Sequence, residues 1–196
     1  MTNIADEYER QIEMLVAKGY PELAGVSEEE FRRELDGLRP RLPEIGEGAF
    51  VVVVSVPWER AMPLVDLRGK SGFMDMTGAD VPAFRTIESV RAPKGPYLLV
   101  DFDAGGRYLN VTPDDALKSI EGEGRSALTV EEGIAVVTHY PEVLREQNAF
   151  SLLATRSGDR RVPAIWLSSG RPRLGWCWAG NPHTWLGSAS CRARLS

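Results

Sequence analysis

Hydrophobic positions near the amino terminus repeat with the period of an α-helix. Tyr8, Ile12 and Leu15 lie on one stripe of residues 4–18, and a Gly-Tyr-Pro sequence at residues 19–21 ends that pattern. The spacing predicts an amphipathic helix with one apolar face. A single helix of this length is marginally stable in water, so its apolar face must pack against another part of the chain.

A second helix is predicted over residues 28–36 by its amino-terminal signal. The Ser27 hydroxyl can accept a hydrogen bond from the Glu30 amide, and the Glu30 carboxylate can return one, which is the capping-box arrangement. The two helices together predict a helical hairpin. We expect residues 1–45 to form an arm that packs on the outside of the remaining domain.

The rest of the chain combines apolar strands with capped helices. Two helices are predicted near residues 113–121 and 130–139, where Thr112 and Thr129 are suitable N-cap residues. Strands are predicted from apolar runs or alternating patterns joined by turn sequences, at residues 50–56, 96–102, 162–168 and 173–179.

Strands and helices are segregated along the chain, which favours an α+β fold over a doubly wound parallel sheet. We expect residues 46–196 to form a single domain. Its four strands should share one mixed, largely antiparallel sheet, and the two helices should cover one face of that sheet. The hairpin at residues 162–179 is the best-defined pairing, because its Ser-Gly-Arg-Pro link is short.

Composition narrows the class of protein. The chain has 196 residues, 43% of them hydrophobic and 26% charged, which is typical of a globular protein. The longest apolar run, residues 49–54, is too short to cross a bilayer, and we expect a cytoplasmic protein with no membrane partner. A net charge of −5 argues against a general nucleic-acid binder, because phosphate contacts dominate that kind of affinity.

The most unusual segment is the carboxyl-terminal one, residues 166–196. It contains four of the five tryptophans, both cysteines and one of the two histidines, and it has four arginines but no acidic residue. Aromatic faces can stack on a planar group, while arginine can hold an anion. The leading hypothesis is therefore a small-molecule-binding domain, with an anionic or nucleotide-like ligand, whose site consists of Trp166, Arg171, Arg173, Trp176, Trp178 and Trp185.

A second hypothesis makes the same segment catalytic. In a strand over residues 173–179 the Cys177 side chain points away from the two neighbouring tryptophans, and a Gly-Asn-Pro turn then brings His183 nearby. His183 could lower the thiol pKa of a nucleophilic Cys177, with Asn181 as the orienting or oxyanion-binding group.

Cys177, His183 and Cys191 also form a candidate Zn²⁺ site. Their spacing matches no common zinc module, so zinc is an option that the sequence does not favour, and no cofactor is assigned. A third hypothesis makes the segment structural, as a tryptophan-packed core element or the interface of a homo-oligomer.

Three further motifs have simpler interpretations than catalysis. Gly69-Lys70-Ser71 resembles the end of a phosphate-binding loop but lacks the required earlier glycine. Asp101 and Asp103 follow an apolar strand, and we interpret them as turn residues rather than metal ligands. His139 lies near the end of a predicted helix, where an imidazolium would be favoured by the helix dipole.

The stretches GRSALTVEEGIAVVTHYP (residues 124–141) and LGWCWAGNPHTWLGSASC (residues 174–191) resemble an uncharacterised family of actinobacterial proteins, a domain of unknown function. The likeness covers roughly residues 45–195, and the tryptophan-rich part is its most specific motif. The resemblance implies a bacterial, cytosolic protein. It supplies no activity and no catalytic residues.

Overall fold

The fold is described from a computed structural model, which covers residues 3–196. These residues contain six α-helices: α1 (Ile4–Ala17), α2 (Tyr20–Ala24), α3 (Glu28–Asp36), α4 (Trp58–Ala61), α5 (Pro113–Gly122) and α6 (Val130–His139). Short 3-10 helices occupy Arg39–Glu44, Met62–Leu64, Val81–Ala83, Gly106–Tyr108 and Pro141–Val143.

The described residues also contain fourteen strands, half of which follow the last helix. They are β1 (Phe50–Val53), β2 (Asp66–Leu67), β3 (Lys70–Ser71), β4 (Phe73–Met74), β5 (Phe84–Thr86), β6 (Tyr97–Val100), β7 (Ser126–Ala127), β8 (Ala149–Ser151), β9 (Thr155–Ser157), β10 (Arg161–Ser168), β11 (Arg171–Trp178), β12 (Leu186–Ser188), β13 (Ser190–Cys191) and β14 (Ala193–Leu195). The predicted α+β class with largely antiparallel pairing is confirmed.

The strands do not share one sheet, so that part of the prediction is wrong. Strands β1, β6 and β14 form a three-stranded antiparallel sheet with β6 in the middle. The hairpin β10–β11 belongs instead to a five-stranded sheet of order β12-β8-β10-β11-β4. All four residues of β1 and of β6 are buried, because both faces of the small sheet are covered.

The hairpin β10–β11 forms with the predicted pairing. Its register runs from Arg161 opposite Trp178 to Ser168 opposite Arg171. Ser169 and Gly170 form the connection, with φ angles of 52° and 74°. Positive φ at both central residues is the geometry of a type I′ turn, which matches the twist of the flanking strands.

The two predicted helices α5 and α6 begin at the expected caps but do not cover the same face. The Thr129 hydroxyl accepts from the Glu132 amide and the Glu132 carboxylate accepts from the Thr129 amide, which confirms the capping box. Helix α6 is buried between the two larger sheets and packs with Val51 of β1 and Ile165 of β10. Helix α5 packs on the opposite side of the hairpin, because alternate residues of a strand point to opposite faces.

The amino-terminal helices α1 and α3 form as predicted and cover the remaining face of the small sheet. Tyr8, Phe31 and Leu35 join residues of β1 and β6 in one apolar cluster. The Tyr8 hydroxyl donates to the Leu35 carbonyl at 2.5 Å, which ties the two helices together. The helices are thus one layer of the core, while the domain boundary at residue 45 stays a prediction.

Candidate functional site

The aromatic side chains of the carboxyl-terminal segment are largely used in packing against their neighbours. Trp166 lies across the hairpin from Arg173 and covers Gly175, where an added Cβ would be only 2.3 Å from the Trp166 ring. Trp185 meets the Trp166 ring edge-on, with centroids 6.0 Å apart. The rings of Trp166 and Trp185 and helix α5 therefore cover this side of the hairpin.

The predicted anion-binding arginines are also engaged. The Arg173 guanidinium lies 4.9 Å from the centre of the Trp166 ring and forms an ion pair with Asp75. Arg171 lies over the Phe73 ring at 4.7 Å and donates its Nε hydrogen to a backbone carbonyl. Both arginines therefore have protein partners, and their predicted role in anion binding stays a prediction.

Trp176 and Trp178 lie on the other face of β11, as predicted. Their rings meet edge-on at 4.9 Å, and the Arg161 guanidinium lies 5.4 Å from the Trp176 ring centre. Trp178 is the one large hydrophobic residue of the described chain that is exposed, with 44% of its surface accessible. It borders a hollow of about 260 Å³ together with Asn181.

The proposed catalytic residues Cys177, His183 and Asn181 do not form a hydrogen-bonded group within residues 3–196. The Cys177 sulfur lies 3.6 Å from the Ser151 hydroxyl, and burial raises the pKa of the thiol. The His183 ring packs instead on Trp185, with centroids 5.5 Å apart. A thiol with a raised pKa is a poor nucleophile at neutral pH, in contrast to the thiolate–imidazolium pair that we expected.

The three proposed zinc ligands are not brought together either. No group of three or more His, Cys, Asp or Glu side chains in residues 3–196 is arranged to hold a metal ion. Cys191 lies in β13, which pairs with β7, and burial raises the pKa of its thiol to about 12. Both cysteines are free thiols.

The two weaker polar motifs have structural roles. Asp101 forms an ion pair with Arg125 at 2.9 Å, and the Asp103 carboxylate accepts from the Gly105 amide at 2.7 Å. Gly69 and Lys70 belong to the hairpin β2–β3 rather than to a phosphate-binding loop. The interpretation of Asp101 and Asp103 as turn residues agrees with this geometry.

A larger cavity lies elsewhere, between α1 and the edge of the small sheet. It has a volume of about 690 Å³, and we call it the Tyr140 cleft. Helix α1, the loop before β1, the start of β1 and the end of α6 supply its walls, which are Ile4, Glu7, Gly46, Glu47, Gly48, Ala49, Phe50 and Tyr140.

The local sequence explains why these side chains meet. Tyr8 and Ile12 point into the core, so Glu7 and Gln11, one position earlier in each turn, flank that stripe on the cleft side. Gly46 has a φ of 71°, a conformation that glycine adopts without strain and that bends the loop around the cleft.

Polar side chains cover the free edge of β1 behind the cleft. The Gln11 side chain is fully buried, donates to the Phe50 carbonyl at 3.0 Å and accepts from the Val52 amide at 2.7 Å. The Tyr140 hydroxyl also approaches the Phe50 carbonyl, at 3.3 Å. These bonds replace a neighbouring strand, because an uncovered sheet edge leaves backbone groups unpaired.

Glu7 and Tyr140 form a tightly hydrogen-bonded pair at the cleft wall. The Tyr140 hydroxyl donates to the Glu7 carboxylate at 2.6 Å. Burial would raise the pKa of Glu7, but hydrogen bonds from Arg10, Tyr140 and Gln11 outweigh it and lower the pKa to about 2. Burial, and then the hydrogen bond to Glu7, raise the pKa of Tyr140 to about 12.

These values suit binding better than proton transfer. A general base works best when its pKa lies near the working pH, and neither Glu7 nor Tyr140 meets that condition. Glu7 therefore remains a carboxylate and Tyr140 a phenol at neutral pH. The Tyr140 ring is held in place by Phe102, whose centroid is 5.7 Å away, and by the Arg10 guanidinium at 5.4 Å.

His139, just behind the cleft, corrects another expectation. Its side chain is buried, and its Nε2 atom lies 3.1 Å from the Val52 carbonyl. Burial lowers the pKa of His139 to about 4, so the ring is neutral at pH 7. The predicted imidazolium at the helix end is wrong, because the helix terminus is enclosed by protein instead of water.

Sequence reasoning missed this site, although one signal was present. Gln11 is a polar residue between the apolar Tyr8 and Ile12, and a fully buried amide must find hydrogen-bond partners. Tyr140 lies in the VTHYP stretch at residues 137–141. That stretch does not show that the hydrogen-bond partner of Tyr140 is Glu7, which lies 133 residues earlier.

Comparison with known proteins identifies a family. The Family of unknown function (DUF5701) matches residues 14–196, which include most of the cleft-forming elements and the whole carboxyl-terminal segment. No curated protein and no solved structure gives a significant match. Within residues 3–196, none of the helices combines the length and apolar character needed to cross a membrane.

Proposed function

We propose that this chain, which belongs to the family of unknown function DUF5701, is a small-molecule-binding protein whose site is the Tyr140 cleft. The observation that carries the proposal is the combination of volume and lining. About 690 Å³ lies in the size range of small-molecule sites, and apolar walls converge there with two carboxylates. This proposal uses helix α1, the loop before β1 and Tyr140 as the site, instead of the tryptophan-rich segment.

The lining selects a ligand with an apolar body. Ile4, Ala49, Phe50 and the Tyr140 ring offer apolar or aromatic surface. Such walls gain free energy when they remove the apolar surface of a ligand from water, at roughly 25 cal/mol per Å². A ring system fits these walls better than a chain of hydroxyl groups would.

The charged residues of the cleft indicate which polar group the ligand carries. Glu7 is already neutralised by Arg10, whereas Glu47 has no ion-pair partner among residues 3–196. The unpaired carboxylate at the rim favours an ammonium or another cationic group. We therefore infer an aromatic or alicyclic amine as the ligand class, in place of the anionic ligand that the arginine-rich tail led us to expect.

Ligand-observed NMR with a matched pair of probes tests this proposal. Phenethylamine and 3-phenylpropionate share a ring and differ in charge, and the amine should show saturation transfer and saturable binding while the acid should not. Ala49→Leu places extra volume in the cleft at an exposed position and should abolish the amine signal. Trp178→Ala is the matched control and should leave it unchanged.

Two outcomes would reject the proposal. One is the absence of saturable binding for every amine in a panel that extends to tryptamine and cyclohexylamine. The other is amine binding that survives Ala49→Leu and Glu47→Gln but is lost in Trp178→Ala. The second result would return the site to the carboxyl-terminal hairpin.

The structure favours a supporting role for the tryptophan-rich segment. Its last strand, β14, pairs along β6 in the small sheet, and Arg194 reaches the buried Glu132 carboxylate through two hydrogen bonds. We infer that the segment closes the core of this protein. The thiol-dependent enzyme has no comparable support, because Cys177 and His183 have separate partners.

A further inference from the structure

A second cavity lies where two hairpin turns meet. Its volume is about 350 Å³, and we call it the basic hollow. Its lining combines three basic residues with three leucines, and the full set is Leu67, Arg68, Lys70, Leu144, Arg145, Glu146, Leu167 and Gly170. The hollow and the Tyr140 cleft share no lining residue.

Two type I′ turns form one side of the hollow. Arg68 and Gly69 connect β2 to β3 with φ angles of 55° and 79°, the same turn geometry as Ser169–Gly170. The Lys70 ammonium donates to the Ser169 carbonyl at 3.1 Å and so bridges the turns. A Cβ at Gly170 would lie 2.9 Å from the Lys70 nitrogen, so glycine makes room for the ammonium.

The charge around the hollow is unbalanced. Neither Lys70 nor Arg145 has an ion-pair partner in the described part of the chain. Arg68 reaches Glu142 only at 3.4 Å, and both side chains are largely exposed. Glu146 is the one acidic residue of the lining, so cationic groups outnumber acidic ones in a chain whose net charge is −5.

The floor of the hollow is apolar. Leu67 and Leu144 are buried, with 5% and 3% of their surfaces accessible, and Leu167 is half-buried. An ion held beside such a floor is screened less by water than one on an open surface. The floor also offers contact to an apolar group attached to the ion.

From the cavity, its unpaired cations and its leucine floor, we propose that the basic hollow binds a small organic anion. The ligand would place a phosphate or carboxylate between Lys70 and Arg145 and a short apolar group on the leucines. The proposal is independent of the function proposed for the Tyr140 cleft, because its residues and the charge of its ligand are different.

Titration of the full-length protein followed by amide NMR tests the proposal. Phenyl phosphate and butyrate are the two anionic probes, and inorganic phosphate and butanol isolate the charge and the apolar group. We expect saturable shifts of residues 67–70 and 144–146 with the organic anions, and the stronger of the two identifies the headgroup. Inorganic phosphate and butanol should each bind at least about tenfold more weakly, because each lacks one set of contacts.

A charge-matched pair of double variants tests the location. Lys70→Gln with Arg145→Gln should weaken binding of the organic anion by about tenfold or more, since charge-assisted hydrogen bonds are lost. Arg91→Gln with Lys94→Gln removes the same charge outside the hollow and should leave the affinity unchanged. All four side chains are outside the buried core, so the variants should fold.

Three results would overturn the proposal. The first is the absence of saturable shifts around the hollow at millimolar probe. The second is equal weakening in the two double variants, which would show a general effect of net charge. The third is inorganic phosphate binding as tightly as phenyl phosphate, which would remove the role of the leucine floor.

Discussion

The carboxyl-terminal hairpin and the Tyr140 cleft differ in what their side chains contact. In the hairpin the side chains pack on one another, whereas in the cleft they line a cavity. The hairpin has the rarest side chains of the chain, but its tryptophans and arginines are mostly in contact with one another. The cleft is lined by common residue types. Its polar side chains, such as Tyr140 and Glu7, are hydrogen-bonded to each other, and the cavity beside them is open.

The comparison shows that a concentration of rare residues does not by itself identify a binding site. The Trp166 ring packs on Gly175 and on the Arg173 guanidinium, so little of its surface can contact a ligand. In the cleft, Gln11 and the Tyr140 hydroxyl cover the edge of β1, and the Tyr140 ring lines the cavity. Whether a side chain can contact a ligand therefore depends on neighbours that are distant in the sequence.

The largest expected effect tests whether the carboxyl-terminal segment is structural. Arg194→Met leaves the fully buried Glu132 carboxylate without its cation, and breaking a buried ion pair costs about 3–5 kcal/mol of unfolding free energy. Urea denaturation measures the loss. Arg160→Met removes a largely exposed ion pair to Asp114 and should cost about 1 kcal/mol or less. Similar losses in the two variants would contradict a structural role for the segment's end.

The second effect is the pH dependence of stability, which tests whether His139, behind the cleft, is buried away from water. The folded-state pKa of His139 is lowered from 6.5 to about 4, so the unfolded chain binds more protons between those values. Stability is therefore complete above pH 6.5 and falls as the pH drops toward 4, by about 3 kcal/mol from this group. Urea denaturation across this range should show a clearly flatter profile for His139→Gln than for the wild type.

Glu7→Gln is the control for that experiment. The pKa of Glu7 is lowered from 4.5 to about 2, so its contribution is present above pH 4.5 and is lost as the pH falls toward 2. Glu7→Gln should change the slope between pH 6.5 and 4.5 far less than His139→Gln does, because the Glu7 charge is only a minor cause of the His139 pKa shift. An unaltered slope in His139→Gln would show that His139 is solvated and that the region is more open than described.

The next smaller effect is the difference in stability loss between two tryptophan substitutions, one on each face of the hairpin. Trp166→Ala should lower the unfolding free energy by about 2–3 kcal/mol, because a partly buried ring is removed from above Gly175. Trp178→Ala should cost less than about 1 kcal/mol, because nearly half of its surface is exposed. Thermal or urea denaturation measures both losses, and the reverse order would contradict the packing of the Trp166 ring on Gly175.

The smallest effect concerns the thiols. Because burial raises the pKa of Cys177 and of Cys191, iodoacetamide at pH 8 should alkylate the native protein at least about tenfold more slowly than the urea-unfolded protein, equivalent to about 1.4 kcal/mol. Mass spectrometry after timed quenching gives both rates. Rapid labelling of Cys177 below pH 7 would instead support the thiol-dependent enzyme and would weaken the contrast between hairpin and cleft.

The sequence by itself determined the local elements. The cap at Thr129 and Glu132, the helix stripe of Tyr8 and Ile12, and the turn at Ser169–Gly170 each depend on residues a few positions apart. Capping bonds, helical periodicity and type I′ turns are short-range effects, so the pattern of residues is sufficient to predict them. The alternation of the tryptophans along β11 follows for the same reason.

Only the tertiary structure decided where the elements meet. The apolar strands β1 and β10 are both buried on two sides, and their patterns do not specify that they lie in different sheets. Gln11 finds its partners 39 and 41 residues away, and Glu7 meets Tyr140 across 133 residues. Hydrophobic burial is non-directional, so it requires that these faces be covered but leaves the choice of partner to the packing of the whole chain.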